Sequence, residues 1–100
     1  MDDEQLARIA AMEKALNDCA AATAALTDQL ERMDALRDEM IALFRYYGSA
    51  DWHRDREADL PPGTPAGVLS EDAAYDAFTE LRDAALHMRA LAADILDNRI

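Results

Sequence analysis

Along residues 1–47 the apolar positions return at alternating steps of three and four without losing phase. They run Ile9, Met12, Leu16, Cys19, Thr23, Leu26, Leu30, Met33, Arg37, Met40, Phe44 and Tyr47, and only Thr23 and Arg37 depart from the apolar rule. This is the a/d pattern of a helix that has a partner along its length. The stretch has no glycine and no proline, so the pattern predicts one helix over residues 3–47, ~70 Å long at 1.5 Å per residue. A compact domain of about 100 residues has a radius of gyration near ~13 Å. The molecule is therefore expected to be elongated, self-associating or folded back once.

Arg45 suits the negative end of the helix dipole, and Gly48 suits the left-handed residue that closes a helix. Residues 48–69 then hold all three prolines and all three glycines of the chain, which predicts a long connection. Ser49 is placed to cap a short helical turn running to Ala58, and the prolines after Leu60 favour an extended, polyproline-like path. Ser70 reads as the N-cap of a second long helix over residues 71–97, with Glu71 and Asp72 in its first turn and Leu69 as a staple. Its apolar stripe is Ala74, Phe78, Leu81, Ala85, Met88, Ala92 and Ile95.

The two helices differ in length by ~30 Å, so one cannot shield the other completely. The predicted fold is one all-α domain over residues 1–100, a coiled-coil-like helical hairpin with an ordered connection. Two copies then complete a four-helix assembly, with the small residues from Ala20 to Ala25 allowing close approach. The alternative is a monomeric three-helix bundle with a break near Thr27, where Asp28 and Glu31 resemble a capping box.

Hydrophobic residues make up 51% of the chain, enough for a folded domain, though so much of this is alanine that the core is expected to be thin. With 21 acidic against 10 basic residues the formal charge is -11, which argues against binding nucleic-acid backbones or anionic lipid. No run approaches the ~20 apolar residues of a membrane span. The acidic opening Asp2, Asp3, Glu4 lacks the features of a signal peptide, so a cytoplasmic protein is expected. Cys19 is the sole cysteine; it sits at a d position and is expected to pack as a small buried hydrophobe.

The one concentration of chemistry is residues 46–59, YYGSADWHRDREAD, which hold the only tryptophan, two of three tyrosines and one of two histidines. Tyr46, Tyr47, Trp52, His53, Asp55, Asp72 and Tyr75 are the candidate binding residues, since aromatics with polar handles beside carboxylates line pockets and anchor interfaces. The same aromatics, with Leu60, Val68, Leu69 and Phe78, also read as a small end-cap core. There Asp55 or Asp72 would accept a hydrogen bond from a tyrosine hydroxyl or the indole N–H.

Asp55, Glu57 and Asp59 are weak candidates for a Mg or Ca site. An EF-hand loop is excluded because Leu60 stands where it needs glycine and Ala66 where it needs the bidentate glutamate. His53 lacks a partnering nucleophile, and His87 reads as a surface residue with Asp83 as its i,i+4 partner. No phosphate loop, paired-cysteine site or HExxH is present, so no catalytic residue and no cofactor are assigned and the balance leans away from an enzyme.

Taken together, Tyr46, Tyr47, Ser49, Trp52 and Asp55, followed by Gly67, Leu69, Ser70, Asp72 and Tyr75 and a closing amphipathic helix, resemble a family of small bacterial proteins catalogued as domain of unknown function 4298. The resemblance covers nearly the whole chain. It implies a small, cytoplasmic, helical bacterial protein and no assigned activity. The expected role is a protein-protein interaction or scaffolding module, with itself as homodimer or another protein as partner. The alternative is a small-ligand or metal-binding protein, enzymatic or not, built on the Tyr/Trp/Asp cap. An acidic decoy of nucleic acid fits the net charge but not the interspersed basic residues.

Overall fold

The computed structural model describes residues 1–97 and 99–100. The fold is all-α, as expected: α1 spans Asp3–Ala35, α2 Arg37–Tyr46, α3 Ala50–Arg56 and α4 Glu71–Leu96, with a single 3-10 turn at Gly67–Leu69 before α4. There is no strand among the described residues, and none of the helices is long and apolar enough to cross a membrane. The chain divides into two compact units, residues 1–42 and 43–100.

In the first unit, α1 opens on a capping box. The Asp2 carboxylate accepts from the Gln5 backbone N–H at 2.7 Å, and the Gln5 side-chain carbonyl accepts from the Asp2 N–H at 3.1 Å. Asp3 and Glu4 then add negative charge where the helix dipole is positive. Exposed ion pairs at helical spacing, Lys14 with Asp18 at 2.6 Å and Arg32 with Asp28 at 3.2 Å, add about 0.3 kcal/mol each. The Thr23 hydroxyl donates to the Cys19 carbonyl one turn back at 2.8 Å. That bond satisfies the polar group locally and leaves the threonine methyl for packing.

The helical run is interrupted once, and not where the alternative fold needed it. Thr27 lies inside α1, and Asp28 is engaged with Arg32 instead of capping a new helix. The interruption is Leu36 alone, at φ -90 and ψ 0, whose N–H is shared among the carbonyls of Arg32, Met33 and Asp34. The ladder resumes at once, with the Met40 N–H on the Leu36 carbonyl at 2.9 Å, and the Arg37 guanidinium bridges the gap to Asp34 at 2.6 Å. No residue of this unit is buried. Cys19, expected inside, is exposed.

The second unit begins with the last turn of α2. Gly48 takes the left-handed conformation at φ 77, and the Ser49 hydroxyl starts α3 by accepting from the Trp52 N–H at 3.2 Å. Farther along, the proline segment turns where an extended path was expected. Pro61 accepts from the Thr64 N–H at 3.2 Å and from its hydroxyl at 2.7 Å, and Gly63 sits at φ 82. Proline followed by a positive-φ glycine is the composition of a type II turn. Ser70 caps α4, accepting from the Ala73 N–H at 3.3 Å, as the sequence predicts. Among the described residues the buried ones are Trp52 and Ala74, both in this unit, so the thin core expected from composition lies here.

Candidate functional site

The Trp52 side chain organises the cap. It is third in α3, where the Ser49 cap fixes the first turn, and only 3% of its surface is exposed. Burying an indole requires a partner for its N–H, and that partner is the Val68 carbonyl at 3.0 Å, on the 3-10 turn before α4. The ring is also enclosed by other side chains. Tyr47 meets it edge-on with ring centres 5.0 Å apart, and the Arg56 guanidinium carbon stands 4.6 Å from its centre in cation–π geometry.

Aromatic contacts extend from there. Phe78 of α4 packs against Tyr47 at 5.1 Å and against Phe44 at 4.5 Å, the latter nearly perpendicular at 89°. Edge-to-face packing sets positive ring edges against negative faces, so the series fixes orientation as well as burying area.

A second arrangement lies alongside. The Tyr46 hydroxyl donates to the Asp55 carboxylate at 2.7 Å, joining the end of α2 to the face of α3, and both residues are half-buried. The phenol is pushed up to about 12, first by that hydrogen bond, then by burial and by the negative charge of Asp55 and Asp51. Losing its proton would turn the donor into an anion against a carboxylate. Tyr46 is therefore a held hydrogen-bond donor, not a nearby acid or base.

The candidate residues thus separate. Tyr46, Tyr47, Trp52, His53 and Asp55 come together around α3, with the exposed His53 ring 5.0 Å from the indole. Asp72 and Tyr75 lie in the first turns of α4 and are exposed, Tyr75 at 63%. Of the two expected polar contacts, Asp55 takes a tyrosine hydroxyl, while the indole goes to a backbone carbonyl. Asp55, Glu57 and Asp59 do not converge: among the described residues no three His, Cys, Asp or Glu side chains gather closely enough to hold a metal ion. The unit also carries an open apolar groove of about 520 Å³ lined by Phe44, Phe78, Leu81, Arg82 and Ala85, none of them a predicted site residue.

Sequence reasoning missed Arg56 as the cover of Trp52, although its place one turn later on a short helix was a usable signal. Ala74, the first residue of the predicted α4 stripe, is buried as that pattern expects.

A family model described as a domain of unknown function, DUF4298, matches residues 9–91. The chain belongs to the DUF4298 family. The match runs from the first turns of α1 to the last turns of α4 and takes in every residue of the cap, so the Trp52 arrangement lies inside the DUF4298 region. No curated protein and no solved structure matches the chain.

Proposed function

We propose that this DUF4298 protein is a cytoplasmic protein-protein interaction module that pairs with a second copy of itself through α1. The carrying observation is the exposure of a phase-true apolar seam. Ile9, Met12, Leu16, Leu26 and Leu30 are each 44–62% exposed, on a helix whose pattern is that of a partnered one. Covering a half-exposed aliphatic side chain contributes about 1 kcal/mol. Five from each copy give on the order of 10 kcal/mol, comparable with the cost of association, so pairing is expected to depend on concentration.

The geometry of the cap supports the same choice over a ligand site. The indole N–H and the Asp55 carboxylate, the groups a ligand would use, already bind Val68 and Tyr46. In this reading the cap gives structure to the C-terminal unit, and the acidic surface, at a formal charge of -11, keeps nucleic acid and anionic membranes away. Sedimentation velocity across a micromolar concentration series tests the proposal. A monomer–dimer equilibrium is expected; a strict monomer with full helicity overturns it.

A further inference from the structure

Resting on the pairing just proposed, we infer that the two α1 helices run antiparallel in one register, centred on Ala21. The argument is the self-complementarity of the seam. Taking residues equidistant from Ala21 as opposed, Leu16 meets Leu26 of the second copy, Met12 meets Leu30, and Ile9 meets Met33. Long apolar side chains therefore face long apolar side chains. Nearer the centre Cys19 meets Thr23, and both are short. The Thr23 hydroxyl is already bonded to the Cys19 carbonyl of its own helix, so this layer brings no unsatisfied polar group into the interface.

The flanking positions match as well. Flanking positions of an antiparallel pair meet like with like, so one flank is centred on Ala20 and the other on Ala22: Ala20 and Ala22 meet their own counterparts, Ala15 lies against Gln29, and Glu13 against Thr27, and no like charges oppose one another. Arg37, the first residue of α2 and the one charged residue of the a/d series, falls opposite the polar Gln5. A parallel pair with the same residues facing inward opposes Arg37 with Arg37 in the apolar seam, and only the exposed Arg8–Glu13 pairs weigh in its favour. Exposed pairs of that kind are weak, whereas two facing arginines at an a position where the seam ends cost stability.

Cross-linking tests the register. In a Cys19→Ala background, Met12→Cys alone is compared with Met12→Cys plus Leu30→Cys, each checked for helicity and for association by sedimentation, then oxidised with oxidised glutathione. In the proposed register positions 12 and 30 share a layer, while the two copies of position 12 lie ~27 Å apart along the axis. Disulfides do not bridge Cα atoms beyond ~7 Å, so the paired variant should give at least about tenfold more covalent dimer than the single one. Peptide mapping should find position 12 joined to position 30. Equal cross-linking by the single variant, or a non-covalent dimer that neither variant cross-links, overturns the register and leaves the pairing standing. Monomeric behaviour of the unmodified chain overturns the pairing itself.

Discussion

Residues 1–42 and residues 43–100 are both helical, yet they hold their structure by opposite means. The N-terminal unit relies on local devices: a capping box, ion pairs one turn apart and an unbroken backbone ladder up to Leu36. It buries no residue. The C-terminal unit has shorter helices and more glycine and proline, but it contains non-local contacts that isolated helices lack, from the indole on Val68 to the aromatic series through Phe78. Regular secondary structure and a core are thus separable. The region with the better helix is the one left with apolar surface, because isolated helices draw little net stability from propensity alone.

The sharpest way to break this contrast is Trp52→Ala. Removing a buried indole costs about 3–5 kcal/mol, so urea denaturation followed by circular dichroism should find much of the cooperative unfolding of the C-terminal unit lost. If the midpoint hardly moves, the cap is not the core of that unit. Replacing Leu16 and Leu26 with Asp should leave the cap intact and act on association. Four half-exposed contacts per pair at about 1 kcal/mol each weaken the dimer roughly a thousandfold in Kd, read by sedimentation velocity.

Smaller effects sharpen the comparison. Ser49→Ala should destabilise by about 1 kcal/mol through the lost cap of α3, and Arg56→Ala by about 0.5–1 kcal/mol through the lost cation–π contact, both measured by thermal denaturation.

Tyr46 makes the mildest and most specific prediction. Its folded value of about 12 lies above the ordinary 10 of a phenol. The stability it contributes is therefore complete below pH 10 and declines as pH rises through 12. An absorbance titration of tyrosinate should lose its most basic step in Tyr46→Phe.

Much of the architecture was legible in the sequence, because helix starts carry local signals. Ser49 and Ser70 cap where their side chains predict, and Gly48 turns the chain as its lack of a Cβ allows. The single-residue interruption at Leu36 carries no such mark, being neither glycine nor proline. The Pro61–Thr64 turn went unread because the prolines were weighed as extended and Gly63 was not weighed as the second half of a turn. In the candidate site, a tyrosine hydroxyl on Asp55 was one of the contacts the sequence offered, but which tyrosine and whether Asp55 or Asp72 accepts were left open, and the structure selects Tyr46 with Asp55. The indole acceptor was not legible, since any backbone carbonyl of the connection satisfies it equally and only the three-dimensional path selects Val68.

The lone indole also gives this protein a private signal. Trp52 is the only tryptophan in the sequence and sits almost wholly out of solvent within residues 43–100, so its emission should be blue-shifted and should respond to that unit alone. Far-ultraviolet ellipticity, by contrast, is dominated by the 33 residues of α1 together with the 26 of α4. Recorded on one sample, the two spectra time the loss of the cap and the loss of helix independently, with no label attached to the chain.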